Sequence, residues 1–325
     1  MSSADPDRGP EPVSVANAAT VDVEDWHPQL YRALTGHELP PTEHLVTGTR
    51  ILIDLLRQHN VAGTFFVTGL YAATFPGLVR DIAAAGHEVA CHGWAHRPTQ
   101  TLTPGSFRED LRRSQGALQD LLSTSIEGYR APYFSIGPAE MWALDIIAQA
   151  GFRYDSSLSP LRFAAAGRAL APGLQYVPVG GGASLVEFPM TTVRWLGKER
   201  NIGGGRLFRL LPRSAIVDGF RRLNELGIAA QTYTHSYEVL PYALTVPRPL
   251  PRVLTRAKAH RSELAASLPW PLTGLPVWAT VHLVELAYTL GRQRTAPRLA
   301  ALLKDRPRWV PIRQLVADFV ASRRP

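Results

Sequence analysis

The stretch GTFFVTGLYAATFPGLVRDIAAAGHEVACHGWAH, residues 63–96, contains the unit that decides the fold. Its first part, 63–68, is rich in β-branched and aromatic residues and predicts a strand. Residues 78–85 have the apolar spacing of a helix, and 87–91 predict a second strand. A strand, a helix and a strand in this order are typical of two parallel strands joined by a crossover helix.

The same alternation continues on both sides of this stretch. Further strands are predicted at Ala18–Val23, 127–130, 152–154, 185–188 and 228–233. Further helices are predicted at 47–59, 107–122, 139–150, 213–226, 296–304 and Ile312–Ala321. So many strand and helix units predict an α/β fold whose sheet closes or nearly closes. The expected architecture is a distorted (β/α) barrel with a helical, basic C-terminal extension.

The sequence predicts three parts. Residues 1–17 are polar and rich in proline, lack the apolar core of a secretory signal, and predict a disordered leader. Residues 18–240 hold the alternating units and 241–325 form the extension. Within the extension, 246–276 predict a proline- and arginine-rich insertion or linker. Residues 277–290 predict a strongly apolar helix, for which a buried position is favoured over an interfacial position at a membrane.

Composition excludes several classes of protein. The chain has 325 residues, of which 45% are hydrophobic and 19% charged, which is the balance of a soluble globular protein rather than a disordered one. We find no apolar run long enough to span a membrane. The single cysteine, Cys91, excludes an intramolecular disulfide and a multi-cysteine zinc site, and the cytoplasm is the expected compartment.

The positive charge is concentrated in the extension. The formal net charge is +8, but residues 241–325 hold 14 Lys and Arg against 4 Asp and Glu, so the first 240 residues carry about −2. A basic extension can make peripheral contact with an anionic membrane or an acidic polymer. A solvated arginine-rich surface is the simpler interpretation. No sequence motif supports nucleic-acid binding.

Acidic residues end the first predicted strand. Asp22, Glu24 and Asp25 lie within four positions, and strand alternation puts Asp22 and Glu24 on one face. Acids at the end of an apolar strand suit cation binding or proton transfer. A solvated loop at a strand end would give the same pattern.

Two histidines follow the strand predicted at 87–91. His92 and His96 are four residues apart, which would put them on one side of a helical turn. Neutral imidazole is a common ligand of zinc, and a carboxylate from Glu24 or Asp25 would complete a site of two histidines and one carboxylate. Taken alone, such a pair of histidines can also be a surface feature.

Three more groups of polar residues end predicted strands. Arg130, followed closely by Tyr133, can hold and orient a carboxylate. Asp155 is an acid at the end of another strand. His235 is distant in sequence from the histidine pair and can act as a separate proton donor, or it can be a structural histidine.

Together, these groups resemble the polysaccharide deacetylases of carbohydrate esterase family four, built on the NodB homology domain. The family motif His-Ser/Thr-x-x-His corresponds to residues 92–96, with Gly93 replacing the hydroxyl residue. Its motif Arg-x-Pro-Tyr/Phe corresponds to residues 130–133, and its Leu-x-His to 233–235. The usual adjacent aspartate pair is replaced by Asp-Val-Glu-Asp at 22–25, which leaves open which of the last two acids holds the metal.

This departure points to a narrower group. With GGGRLFRLLP at 203–212 and EFPMTT at 187–192, the chain is similar to deacetylases of exopolysaccharide loci found alongside PEP-CTERM and exosortase systems, which carry a C-terminal extension. The resemblance covers 18–238 and the part from residue 288 onward. That group reads His-Pro-Trp-Glu where this chain reads His-Ser-Tyr-Glu at 235–238. The segment 246–287 is longer than typical, and no role is carried over to it.

The resemblance implies a metal-dependent N-deacetylase acting on N-acetylhexosamine units of a polysaccharide or its lipid-linked precursor. A divalent metal, with zinc expected, would be held by His92, His96 and one carboxylate. Asp22 would be the general base, oriented by Arg130.

The resemblance also assigns the remaining steps. His235 would protonate the leaving amine, held by Asp155, and a backbone N–H near Tyr133 would bind the oxyanion. Two alternatives stay open: hydrolysis of a small cyclic amide, as in allantoinases and imide hydrolases, and a non-catalytic relative that binds glycan. The presence of all the expected polar residues argues against the second. The sequence leaves the natural glycan and the oligomeric state open.

Overall fold

The computed structural model describes residues 15–35, 37–195, 197–244, 277–305 and 308–323. Its strands are β1 (Ala18–Val23), β2 (Thr64–Val67), β3 (Glu88–Cys91), β4 (Gly128–Tyr129), β5 (Tyr154–Asp155), β6 (Gln175–Pro178), β7 (Ser184–Glu187), β8 (Thr192–Trp195), β9 (Lys198–Asn201) and β10 (Gln231–His235). Its helices are α1 (Trp26–Thr35), α2 (Glu43–Gln58), α3 (Gly69–Thr74), α4 (Pro76–Ala84), α5 (Pro104–Leu122), α6 (Trp142–Gln149), α7 (Pro160–Ala165), α8 (Gly205–Leu210), α9 (Arg213–Glu225), α10 (Val277–Thr289), α11 (Thr295–Lys304) and α12 (Ile312–Ala321).

Eight strands form one curled sheet in the order β10-β1-β2-β3-β4-β5-β7-β6. All neighbours are parallel except β6 and β7, and β6 and β10 are the two edges. The sheet is therefore an open, distorted barrel, and the predicted α/β architecture is confirmed. The strands β8 and β9 form a separate antiparallel hairpin.

Strand alternation divides the sheet into an outer and an inner face. On β1, Ala19, Val21 and Val23 join the core formed with the surrounding helices. Ala18, on the other face, packs in a second cluster inside the curled sheet. Continuing from Ala18 along this inner face, Thr20 comes next and Asp22 follows it. The same alternation that builds the core therefore brings the carboxylate of Asp22 to the carboxyl end of the barrel.

A fully buried arginine fills the middle of the barrel. The guanidinium of Arg130 lies 3.9 Å from the ring of Phe66, and its Nη1 donates to Thr20 Oγ1 at 2.8 Å. Its Nη2 donates to Ser156 Oγ at 3.0 Å and also to the side-chain oxygen of Gln231. Because its donors find partners on several strands, this buried cation is stabilised and rigidly placed.

The last helix closes the amino end of the barrel. Ile312 of α12 packs against Ala18 and Phe66, and its backbone N–H donates to Thr64 Oγ1 at 2.8 Å. The next N–H, of Arg313, donates to Glu88 Oε2 at 3.0 Å. Part of the predicted extension is therefore a wall of the barrel itself.

Several local predictions are corrected by the structure. Residues 92–96 form a loop rather than a helical turn, with φ of +73° at Gly93 and +55° at His96. The helix α1 and the β8–β9 hairpin were not predicted from the sequence. The predicted leader extended through residue 17, but Asn17 is buried and its backbone N–H donates to the carbonyl of Arg308 at 2.8 Å.

Two predictions fall on residues that are not described. Residues 1–14 of the predicted leader and the predicted linker at 246–276 lie outside the described ranges. Within those ranges, no helix has the length and apolar character needed to cross a membrane.

Candidate active site

Glu24, His92 and His96 meet at the carboxyl end of the barrel. Glu24 Oε1 lies 2.7 Å from His96 Nε2 and 3.2 Å from His92 Nε2, and all three side chains are buried. The left-handed backbone at Gly93 and His96 turns the loop so that both imidazoles reach one carboxylate. The three donors form a group with the composition of a divalent-metal site.

The hydrogen bonding of His92 indicates that a cation fits this group. His92 Nδ1 lies 2.7 Å from the carbonyl oxygen of Arg130, which can only accept, so Nδ1 carries the proton. In the neutral imidazole, Nε2 then presents a lone pair to a carboxylate oxygen 3.2 Å away. A cation between two such acceptors removes their repulsion, and a backbone carbonyl behind Nδ1 is the usual support of a metal-binding histidine.

The protonation states suit the same role. Burial would raise the pKa of Glu24, but His96, His235 and His92 hold it well below its usual value. Burial lowers the pKa of His96, which keeps that imidazole neutral at neutral pH. An ionised carboxylate and neutral imidazoles are the forms in which these residues bind metals.

Asp25, the other acid considered as a ligand, lies apart from the histidines. Its Oδ2 accepts from the backbone N–H of Thr42 at 2.5 Å, and its Oδ1 accepts from that of His27 at 3.2 Å. Burial raises the pKa of Asp25. The residue therefore ties β1 to the segment that leads into α2, while Glu24 faces the histidines.

Asp22 lies between Arg130 and His235. Its Oδ1 accepts from Arg130 Nη1 at 2.7 Å, and its Oδ2 lies 4.0 Å from His235 Nε2. The arginine therefore holds one oxygen of the carboxylate and leaves the other facing the histidine. The register of the sheet produces this arrangement, since Asp22 is directly opposite His235 on β10.

Glu238, not Asp155, is the carboxylate that holds His235, and the expected pairing with Asp155 is wrong. His235 Nδ1 lies 2.6 Å from Glu238 Oε1, three residues along the chain. Glu238 Oε2 accepts from the hydroxyl of Thr295 on α11 at 3.2 Å. Burial would lower the pKa of His235, but the carboxylates of Glu24, Glu238 and Asp22 together raise it to about 9.

Asp155 instead supports the turn after Arg130. Its Oδ1 accepts from Ser157 Oγ at 2.5 Å, and Ser157 Oγ accepts from the backbone N–H of Ala131 at 2.7 Å. Burial raises the pKa of Asp155 to about 6 and that of neighbouring Glu187 well above its usual value. These bonds hold the segment in which Tyr133 adopts a left-handed φ of +59°.

Several of these groups border one cavity of about 380 Å³, among them Asp22, Glu24, His235 and Glu238. Its lining residues include Asp22, Glu24, Tyr133, Phe134, Leu161, Met190, Asn201, Arg206, Arg209, Tyr233, His235, Tyr237, Glu238, Ala287 and Tyr288. The ring of Tyr133 lies 4.6 Å from that of His96, and the ring of Tyr237 stacks on His235 at 5.0 Å. The cavity is therefore lined by one residue of the metal-type group, Glu24, by the carboxylate of Asp22 and by a protonatable histidine, His235.

Two parts of this cavity were not predicted from the sequence. Glu238 had no predicted role, although an acid three residues after a histidine is close enough to pair with it. The wall formed by α8 and the end of α10, including Arg209 and Tyr288, was not predicted to border the site, because these segments meet only through the fold.

Comparison with known families finds two matches along the chain. Residues 38–154 match the family model of polysaccharide deacetylases, and residues 156–268 match a domain of unknown function, DUF3473. Two adjacent stretches of the chain are thus similar to a polysaccharide deacetylase domain and to a DUF3473 domain.

Curated relatives match over part of their length. A chitooligosaccharide deacetylase of Bradyrhizobium is 33% identical over 98 residues, which are 30% of this chain and 42% of that protein. A peptidoglycan deacetylase of Helicobacter pylori is 26% identical over 145 residues, 45% of each chain. The chain thus spans less than half the length of these two relatives.

Solved structures share the fold over nearly the whole chain. A putative polysaccharide deacetylase from Mycobacterium smegmatis superposes with a TM-score of 0.59 at 21% identity, covering 98% of this chain and 94% of that one. A probable polysaccharide deacetylase from Pseudomonas aeruginosa PAO1 gives 0.57 at 13% identity, covering 95% and 91%. These comparisons support the fold, including the C-terminal helices.

Proposed function

We propose that this protein is a metal-dependent N-deacetylase that removes acetyl groups from N-acetylhexosamine units of a glycan. The observation that carries this proposal is that Glu24 belongs to two groups of closely spaced ligand atoms, one with His92 and His96 and one with Asp22 and His235, and that Asp22, Glu24 and His235 line the cavity. A hydrolase of a carbon–nitrogen bond needs a base for water and an acid for the leaving amine. The cavity supplies a candidate for each.

Glu24, His92 and His96 would hold the metal, and two nitrogens with one carboxylate oxygen suit zinc. When bound, a divalent cation supplies a Lewis acid that polarises the acetamide carbonyl and lowers the pKa of water. The burial of all three ligands favours a fixed position for the ion.

Asp22 is assigned the role of general base. Its Oδ2 would take the proton of the attacking water, while the bond from Arg130 to Oδ1 keeps the carboxylate oriented. Because Arg130 is itself held by several strands, it fixes the position of this base with little freedom to move.

His235 is assigned the role of general acid. Its Nε2 would donate a proton to the departing amine, which leaves poorly as an anion. The bond between Nδ1 and Glu238 fixes the ring and favours the protonated form. The backbone N–H of Tyr133 would bind the oxyanion on the side of the cavity held by Asp155 and Ser157.

The substrate is proposed to be a polysaccharide or its lipid-linked precursor, as in exopolysaccharide biosynthesis. The similarity to a chitooligosaccharide deacetylase and to a peptidoglycan deacetylase supports an N-acetylated glycan as the substrate. The sequence resemblance to the deacetylases of exopolysaccharide loci supports the narrower group. Peripheral contact with a membrane through the basic extension would fit a lipid-linked substrate.

The first test is acetate release from N-acetylglucosamine oligomers by the full-length protein. We expect release that a chelator abolishes and that added zinc or cobalt restores. In the same assay, His235→Ala should lower the rate by at least about a hundred-fold, the lower end of the usual range for a general acid, with unchanged metal content.

Other results would overturn the proposal. Full activity of His235→Ala would remove the acid assignment. Activity that survives complete metal removal, or activity on small cyclic amides but not on glycans, would indicate a cyclic-amide hydrolase instead. A folded, metal-loaded protein with no activity on either substrate class would indicate a binding protein.

A further inference from the structure

Four successive carbonyls of the loop that carries His96 accept hydrogen bonds from other parts of the chain. The carbonyls of Gly93 and Trp94 accept from the first two backbone N–H groups of α3, each at 2.9 Å. The next two carbonyls, of Ala95 and His96, accept from the side chain of Arg32 on α1. Its Nη1 donates to the first at 2.8 Å and its Nη2 to the second at 2.7 Å. One side chain therefore makes half of the bonds to these four carbonyls.

Arg32 is buried between α1 and this loop. It is 6% exposed, and its Nη1 also lies 3.4 Å from Oε2 of Glu38. The other oxygen of Glu38 lies 3.6 Å from Nη2 of Arg97, the residue that follows His96. Because a guanidinium is planar and rigid, two of its nitrogens on successive carbonyls fix both the spacing and the direction of those carbonyls.

The position of the His96 imidazole depends on this backbone. With φ of +55°, His96 has a left-handed conformation that is uncommon for a residue other than glycine and persists only where the surroundings hold it. The ring of His92 is oriented by the carbonyl of Arg130 behind its Nδ1, whereas Nδ1 of His96 has no hydrogen-bond partner among the described residues. The bonds from Arg32 therefore act at the point where the loop is strained and its ligand is least supported.

We propose that Arg32 is a positioning residue for the metal site, holding the carbonyls of Ala95 and His96 so that the His96 imidazole reaches Glu24. This inference rests on the proposed function and adds a residue to which that function gives no role. Arg32 acts through the backbone of the loop and binds neither the metal nor the substrate. Residues that hold metal ligands from behind typically change the affinity for the metal by about ten- to a hundred-fold.

The charge of Arg32 gives the test a sign. Burial lowers the pKa of His96, the carboxylate of Glu24 raises it, and the positive charge of Arg32 lowers it further, so this charge acts on the ligand. The same charge repels a metal ion bound there. Electrostatics alone therefore predicts tighter metal binding when Arg32 is removed, whereas support of the loop predicts weaker binding.

The test measures zinc binding by the full-length protein in competition with a chromogenic chelator. We expect Arg32→Gln to raise the dissociation constant for zinc by about ten-fold or more. Arg32→Lys keeps the charge but lacks the planar pair of donors, so it should also bind zinc more weakly than wild type. Thermal melting of the metal-free variants sets the temperature of the titrations well below unfolding.

Arg97→Gln is the matched control. It removes a positive charge from the residue next to His96, but the Arg97 side chain is 51% exposed and its ion pair is with Glu38 rather than with the loop. Its affinity for zinc should be no weaker than that of wild type.

The outcomes separate this inference from the proposed function. Weaker zinc binding in both Arg32 variants, with Arg97→Gln no weaker than wild type, would support the inference even if no glycan releases acetate. Equal or tighter binding in Arg32→Gln would overturn it and leave the metal site standing, and a lower melting temperature alone would then show a purely structural role. A wild-type protein that binds no zinc would overturn both. If Arg32→Gln does not fold, Arg32→Lys decides.

Discussion

Glu24 and Glu88 lie at opposite ends of the barrel, and their pKa values are shifted in opposite directions. Both are buried, with 4% and 2% of their surface exposed. At the carboxyl end, the imidazoles around Glu24 hold its pKa well below the usual value. At the amino end, burial raises the pKa of Glu88, and the hydrogen bonds from the hydroxyls of Thr64 and Tyr154 and from the N–H of Arg313 lower it only in part. The partners, rather than the burial, decide which acid stays ionised.

The C-terminal segment contributes differently to the two ends. At the amino end, α12 fills the barrel with apolar side chains and hydrogen-bonds Glu88. At the carboxyl end, Thr295 of α11 bonds Glu238, and Tyr288 borders a cavity that stays open. One end is a packed core and the other a chemical site, so changes at the two ends should affect stability and activity separately.

The largest expected effect comes from Glu24→Gln. Because it removes the charged ligand of the metal-type group, acetate release should fall about a thousand-fold or more, with loss of bound metal measured by elemental analysis. Glu88→Gln, the matched change at the amino end, should retain most of the activity. Similar losses in the two variants would contradict the functional difference between the ends.

Ile312→Ala should mainly lower stability. Ile312 is fully buried between α12 and the inner face of the sheet, so truncation leaves a cavity that costs about 3 kcal/mol of unfolding free energy. Denaturant unfolding measures this loss of stability. At denaturant concentrations well below the unfolding midpoint, the rate of acetate release should be close to that of wild type. Leu226→Ala, at a side chain that is 73% exposed, is the control and should change little. A small effect of Ile312→Ala would show that α12 is not part of the core.

The smallest expected effect is a pH dependence of stability caused by Glu88. Its pKa is raised in the folded protein above the unfolded value of about 4.3, so between the two values the folded state binds the extra proton. Stability should therefore fall as pH rises through the folded pKa. Glu88→Gln cannot titrate and should remove this pH-dependent part of the stability. It is measured as the difference between the urea unfolding midpoints of wild type and variant over a pH series. Parallel pH profiles would refute the raised pKa.

The elements with a local pattern were predictable, and the partners of the site were not. The first strand was predicted at Ala18–Val23 and found there, because alternation and β-branched residues are local signals. The pairing of Asp155 with His235 was wrong, because a strand end shows only that an acid is near the site. Which acid reaches the histidine depends on the short 3₁₀ helix at Ser236–Val239, which places Glu238 next to His235.

The sequence by itself determined the type of fold, the edge of the sheet at which polar residues gather, and the kinds of side chain available there. It could do so because strand alternation and residue chemistry belong to short segments. The tertiary structure alone decided that Glu24 rather than Asp25 faces the histidines, that Thr295 supports Glu238, and that Arg313 covers Glu88. Those last two contacts join residues 57 and 225 positions apart, and only the packing of the whole chain brings such distant groups together.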